Sequence, residues 1–239
     1  MEKKGGLLLL RPINILSINT TLFLLVFSIT TKSFTQNVFE ALGESALSLN
    51  HQVSKDYAIN FTFRSRYFLH KDALQYKQQQ IDFFHFSTFK LNAIHKLSFG
   101  FYYRNRDWFD SGSDELRFMQ EFVYSKQKAG VRYGHRFRLE ERIFNNFTDF
   151  RPRYRFIMNL PINGKIWDVG GVFFVGSTEA LLSLSEKHAP FFDHRFTTQF
   201  GWQVNQDLKL QGGLEYRLEG YNTSTKNYLF LLTTAIYKL

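Results

Sequence analysis

Apolar and charged side chains alternate along residues 130–143 of the chain, GVRYGHRFRLEERI. Val131, Tyr133, Phe137 and Leu139 occupy odd positions, whereas arginines and a glutamate dominate the even ones. Successive side chains of a β-strand point to opposite faces, so this pattern predicts a strand with one apolar face and one ionic face. A helix would spread the same charges around its circumference and leave no apolar stripe.

The same period of two recurs through most of the chain, with no long helical pattern. We predict strands near 45–53, 57–68, 81–92, 97–106, 116–126, 130–143, 151–160, 165–176, 191–203, 208–219 and 227–239, with a further short strand around 37–42. Phenylalanines occupy both parities of 81–92, which indicates a bulge in that strand. The pattern therefore predicts an all-β fold.

The breaks between the predicted strands alternate in length. Short breaks lie at 54–56, 92–96, 125–130, 161–165 and 205–207, and longer ones at 69–80, 106–115, 177–190 and 220–226, with an intermediate one at 145–150. Tight turns at one end and long loops at the other are typical of an up-and-down barrel of the outer-membrane type.

The composition of the two faces indicates which of them points outward. The apolar faces hold mostly large aromatic residues and leucine, more bulk than the interior of a small soluble barrel accommodates. The other face uses arginine and glutamate, where a water-exposed surface more often uses lysine. About ten residues per strand, tilted by about 40°, give a height of roughly 25 Å, which matches the apolar band of a membrane barrel. We therefore predict an antiparallel up-and-down transmembrane β-barrel of about 12 strands, or about 10 as the next choice.

The N-terminal segment predicts export. Basic residues precede the apolar run 21–30, and a polar segment follows it. That order is typical of a secretory signal peptide, and the run is shorter than the roughly 20 residues of a membrane-spanning helix. We expect residues 1–35 to be the signal peptide and residues 36–239 to form a barrel in the outer membrane of a Gram-negative cell. A permanent N-terminal anchor is the alternative.

Composition excludes several function classes. The chain has no cysteine, which removes disulfides, thiolate metal sites and cysteine nucleophiles. Its seven histidines show no metal-ligand spacing, so we predict neither a metal nor another cofactor. The net charge of +9, with aromatic residues interleaved, suggests single-stranded nucleic acid as a ligand. Because the excess is modest and partly N-terminal, we predict that no nucleic acid binds.

Three segments resemble a known family: RYGHRFRLEERIF, RPRYRFIMNLPI and FFDHRFTTQFGWQVNQDLKLQGGLEYRL. They are similar to the outer-membrane β-barrels catalogued as domain of unknown function 2490. The resemblance rests on Arg138, Glu140, Arg142, Arg153, Arg155, Arg195 and Gly201 with their alternating neighbours. It implies a fold and a membrane location, and no activity, because the family's function is unassigned.

The inward parity of the predicted strands collects an ionic set, which is our candidate functional site. Its members are Arg132, Arg136, Arg138, Arg142, Arg151, Arg153, Arg155, Arg195 and Arg217, with Glu121, Glu140, Asp193, Glu215 and Glu219. We expect Glu140 and Glu121 to be ion-paired with these arginines. Such a lumen suits an anion-selective pore or a site for an acidic solute. The alternative is an ion network that fills a small barrel and keeps it rigid.

Two classes of function follow from this lumen. We expect the chain to be a narrow channel or structural component with an Arg/Glu-lined lumen; the alternative is a non-conducting accessory subunit of a larger outer-membrane complex. Outer-membrane lipid is the expected partner in both. A membrane lipase or deacylase would need a serine, a histidine and an acid together, and the best set is His194 beside Asp193 with Ser183 or Ser185. Because such a set arises easily by chance, we predict no catalytic residues and no enzyme.

Overall fold

The computed structural model describes residues 39–71, 73–163 and 168–239, and the predicted signal peptide at residues 1–35 lies outside them. The described residues form a closed all-β barrel. Its strands are β1 (Phe39–Gln52), β2 (Tyr57–Lys71), β3 (Ala73–Lys90), β4 (His95–Asn105), β5 (Glu115–Lys128), β6 (Val131–Ile143), β7 (Thr148–Pro161), β8 (Val172–Ser185), β9 (Phe191–Gln203), β10 (Leu208–Glu219) and β11 (Lys226–Lys238). Within those ranges, no helix is long and apolar enough to cross a membrane.

The barrel has 11 strands, so the predicted counts of 12 and 10 differ from the structure. Neighbouring strands are antiparallel, except that β1 and β11 pair in parallel, with Leu42 opposite Phe230. The described parts of the predicted strands 37–42 and 45–53 lie in one continuous strand, β1 (Phe39–Gln52). The glycine between them, Gly43, does not break it, and the ring of Tyr67 on β2 occupies the space that a Cβ atom there would need.

An odd number of strands places the two ends of the barrel sequence at opposite rims. We call the rim where β1 begins the upper rim. It carries the connections 106–114, 144–147, 186–190 and 220–225. The lower rim, where β11 ends, carries 53–56, 91–94, 129–130 and 204–207.

The predicted alternation of short and long connections fails at two places, between β2 and β3 and between β7 and β8. Residues 69–80 were expected to be a loop, but 69–71 belong to β2 and 73–80 to β3. The expected strand 165–176 and loop 177–190 are also displaced, because β8 spans Val172–Ser185. In β8 the buried Leu181 shares the inward face with Glu179 and Ser183, which hides the alternation of apolar and polar residues.

The predicted bulge in 81–92 lies elsewhere. The register shifts of the β2–β3 ladder leave extra residues on β3, before residue 81. Gln79, for example, is unpaired between the Arg66–Gln80 and Tyr67–Gln78 pairs. Residues 81–90 pair with β4 without interruption. The mixed parity of the phenylalanines has another cause, since Phe84 and Phe86 line the cavity inside the barrel.

The ionic face of the strands is the interior of the barrel and the apolar face is its exterior. Phe137 and Phe200 are 52% and 61% exposed, whereas Glu140 and Glu179 are 0% and 1% exposed. In the described strands, outward-facing charges lie near the rims, as Glu141 does at the upper end of β6. The polarity is therefore the reverse of that of a water-soluble barrel.

Glycines on the inward face make room for aromatic rings. A Cβ atom at Gly201 of β9 would overlap the ring of Phe173, which is 1% exposed. Gly201 and Phe173 are directly opposite across the β8–β9 ladder. The ring thus fills the space that a side chain at position 201 would need.

We predict that Gly201→Ala destabilises the barrel by about 1–3 kcal/mol, because the added methyl group displaces a buried ring. Gly212→Ala on the adjacent strand is the matched control, since a Cβ there meets its nearest atom at 3.7 Å. Urea unfolding of the detergent-solubilised protein measures both. Equal stability of the two variants would show that Phe173 is free to move.

Candidate functional site: a charged lumen

Buried carboxylates are distributed around the interior of the barrel. Glu44, Asp82, Glu115, Glu140, Glu179 and Glu215 have side chains at most 10% exposed. Each contacts at least one arginine within ion-pair distance. Because a buried charge is costly unless it is paired, these acids hold the surrounding arginines in place.

Glu140 on β6 is the most heavily paired of the predicted residues. Its carboxylate lies 2.5 Å from Arg153, 3.3 Å from Arg117 and 3.4 Å from Arg138. Arg138 also contacts Glu121, at 2.6 Å. Glu140 and Glu121 therefore form ion pairs with arginines of the same inward face, as the alternation predicts.

Glu179 on β8 has a similar set of partners. It lies 2.6 Å from Arg153, 2.7 Å from Arg136 and 3.3 Å from Arg155. Arg153 thus bridges Glu140 and Glu179, and its planar guanidinium suits two carboxylates at once. The bridge ties β6 to β8 across β7.

The network continues around the barrel from Glu140. Arg117 connects Glu140 to Glu115, which also binds Arg104 and Arg142.

Arg104 and Arg64 both bind Asp82, which carries the network on to β3 and β2. Arg64 then reaches Glu44, where Arg66 and Arg217 also converge. Arg217 also binds Glu215 of its own strand, β10, at 2.5 Å.

The other predicted site residues lie at the edges of this network. Arg142 binds Asp149 at 2.8 Å. Arg151 donates a hydrogen bond from Nε to Ser183 and lies 3.9 Å from Asp193. Arg132, near the lower rim, donates from Nε to Ser125 at 3.0 Å. Glu219, at the upper end of β10, lines the central cavity.

Arg195 on β9 is the exception. Within the described part of the chain, no carboxylate lies within 4.0 Å of its guanidinium, unlike the other predicted arginines between Arg136 and Arg217. The ion network that runs from β8 through β6, β4 and β2 to β10 therefore has a gap on β9 at the level of Arg195, although Asp193 of the same strand lies 3.9 Å from Arg151.

Several members of the network were not among the predicted site residues. These are Glu44, Arg64, Arg66, Asp82, Arg104, Glu115, Arg117, Asp149 and Glu179. The alternation in 57–68 and 97–106 places Arg64, Arg66 and Arg104 on the polar face. Glu179 was missed because its segment was predicted to be a loop.

A cavity of about 520 Å³ remains inside the network. Arginines outnumber carboxylates in its lining, and Phe84, Phe86 and Phe230 supply apolar surface. Side chains from distant strands meet here, since the guanidinium of Arg138 on β6 lies 5.1 Å from the ring centre of Phe86 on β3. The interior is therefore narrow.

The loop 106–114 folds against the upper rim. Its Asp114 accepts hydrogen bonds from the Tyr103 hydroxyl at 2.6 Å and from the backbone N–H groups of Arg106 and Asp107. Slight burial raises the pKa of Asp114, but these hydrogen bonds lower it further, so the net shift is downward. Burial, together with repulsion from lumenal arginines, lowers the pKa of Arg106 to about 10. Arg106 adds a further cation above the cavity.

The candidate hydrolase residues do not assemble. Asp193 is buried on the inward face, whereas His194, the next residue, hydrogen-bonds Thr178 on the outward face. Ser183 accepts its hydrogen bond from Arg151, and Ser185 donates to a backbone carbonyl. These residues form no serine–histidine–acid arrangement.

Comparison with known proteins identifies a family. The family model described as Protein of unknown function (DUF2490) matches residues 45–228, which include all or part of every strand. This match confirms the resemblance that the arginine-rich segments carry. No curated protein and no solved structure matches the chain.

We predict that Glu140→Ala destabilises the barrel by about 3–5 kcal/mol, because it leaves buried guanidiniums without their shared carboxylate. Glu141→Ala is the matched control, since this neighbouring acid lies on the outer face opposite Phe118 and Phe150. Its effect should be within about 0.5 kcal/mol. Urea unfolding in detergent compares the two, and equal effects would mean that water screens the network and removes its contribution to stability.

Proposed function

The chain belongs to the DUF2490 family of proteins of unknown function, and we propose that it is an integral outer-membrane β-barrel with a structural, largely occluded lumen. Its charged interior holds the barrel rigid and admits at most small anions. We assign it no catalytic role. The reversed polarity of the barrel is the observation that carries this proposal.

The outer face supports a lipid environment. Large apolar side chains such as Phe63, Phe118 and Leu214 project from it with about half of their surface exposed. Each Å² of apolar surface left in water costs about 25 cal/mol, and a contiguous apolar surface of this extent is rare on soluble monomers. Charges near the rims, such as Glu141, would lie at the level of the lipid headgroups, where they cost little.

Polar aromatic residues near the lower rim support the same environment. His95 packs against Tyr124, and His135 packs against Tyr124 and hydrogen-bonds the hydroxyl of Tyr154 at 2.8 Å. Tyr237 lies close to the end of β11. Amphipathic rings of this kind form the girdles of membrane barrels at the boundary between hydrocarbon and headgroups.

The size and filling of the barrel favour an occluded lumen over an open pore. Barrels of about 8 strands are filled by their own side chains, whereas about 16–18 strands leave an aqueous channel. This barrel has 11 strands and lines its interior with arginines, among the longest side chains available. Their ion pairs with buried carboxylates hold them across the space that a diffusing solute would need.

We predict that the full-length protein fractionates with outer membranes and migrates anomalously on a denaturing gel unless it is boiled. The apolar exterior would then be covered by lipid and the barrel would resist detergent. A periplasmic protein of similar size serves as the fractionation control. Quantitative recovery in the soluble periplasmic fraction would contradict the proposed membrane location.

We further predict that the purified barrel, inserted into planar bilayers, gives no stable stepwise current, because the ion network blocks the lumen. Insertion is verified in the same preparation by gel migration before and after boiling. Reproducible, anion-selective current steps would favour the pore alternative instead.

A further inference from the structure

The ion network is interrupted at one level of the barrel. Five neighbouring strands contribute Arg136, Arg155, Glu179, Arg195 and Arg217 as successive cross-strand partners. Arg136 is directly opposite Arg155, and Arg195 is directly opposite Arg217. Like charges directly opposite on a ladder destabilise it unless a counter-charge lies between them. This row supplies one carboxylate for four guanidiniums.

That single carboxylate does not reach Arg195. Glu179 is within ion-pair distance of Arg136, Arg153 and Arg155, all on the other side of β8 from Arg195. The next acid, Glu215, binds Arg217 at 2.5 Å and accepts a hydrogen bond from Thr197 at 2.8 Å. Both nearby carboxylates are therefore engaged by other groups.

Several arginines of this region have a hydrogen-bond donor without an acceptor. The Nε–H groups of Arg136, Arg153, Arg155 and Arg195 are buried and have no acceptor among the residues that the structure describes. All four arginines line the cavity of about 520 Å³. Buried polar groups are normally paired, so several unpaired cationic donors on residues that line one cavity favour an acceptor of the opposite charge there.

We propose that this cavity binds a small soluble oxyanion with at least two negative charges, of the phosphate or dicarboxylate type, beside Arg195 and Arg155. Guanidinium groups match the geometry of such oxygens, and a dianion would balance most of the excess charge in the row. The proposal deepens the proposed function by naming the solute class of the lumen. It depends on the ionic face lining a closed interior and not on the membrane location.

The test is calorimetric titration of inorganic phosphate into the detergent-purified, full-length barrel, with chloride exchanged to keep the ionic strength constant. We expect saturable binding that is at least tenfold weaker in Arg195→Gln. Lys96→Gln is the matched control, because it removes one positive charge from the inward face of β4 outside the cavity lining. It should leave phosphate affinity unchanged. No saturable binding, or equal weakening by both substitutions, would overturn the proposal.

Thermal unfolding in chloride buffer separates a ligand-binding arginine from a structural one. Arg195→Gln removes a cation that has no carboxylate within 4.0 Å among the described residues, so its unfolding temperature should equal or exceed that of the wild type. A marked decrease would show that Arg195 stabilises the barrel through its neighbours, and the site assignment would fail. Neither titration nor unfolding uses a membrane, so their failure is distinguishable from failure of the fractionation experiment.

A second titration distinguishes a soluble oxyanion from a lipid headgroup of the same chemistry. Dihexanoyl phosphatidic acid presents a phosphate on two short acyl chains, which the narrow lumen should exclude. We expect it to displace phosphate at least tenfold more weakly than succinate does. Equal or stronger displacement by the lipid would overturn the assignment to a soluble solute.

Discussion

The sharing of buried carboxylates among several arginines is the interaction on which this barrel depends. Arg153 shows it most directly, because it binds Glu140 and Glu179 together and joins β6 to β8 across β7. Without those acids, adjacent guanidiniums would repel each other strongly in an interior of low dielectric constant. Paired, the same groups cross-link strands that are not neighbours and fill the interior of the barrel.

An ionic interior and an apolar exterior are two consequences of one constraint. Alternate residues of a strand face opposite sides, so arginines inside place phenylalanines such as Phe137 and Phe200 outside. Ion pairs satisfy most charges of the interior, but the exterior needs an apolar environment that the protein does not supply. The proposed membrane location meets that need, and it explains why the outward charges lie near the rims.

The gap in the ion network at Arg195 is also informative. Arg195 has the same residue type, parity and depth as its paired neighbours, yet the carboxylates of Glu179 and Glu215 are engaged elsewhere. A purely structural network gains nothing from a cation of this kind, since an apolar or neutral residue would avoid its repulsion with Arg217. The proposed anion would neutralise that cation and would give the lumen a binding function in addition to its structural one.

The sequence by itself determined the all-β class, the two faces of most strands and the family, because the alternation of side chains is a local property of the strand. Glu140 and Arg153 could be assigned to a shared face from parity alone. Only the tertiary structure decided the number of strands, the parallel pairing of β1 with β11 and the identity of each ion pair. Those depend on register between strands distant in sequence, which no local pattern encodes. Glu179 could not be assigned from the sequence, because Leu181 on the same face hides the alternation in β8. The pairing of β8 with β7 and β9 places Glu179 among the arginines.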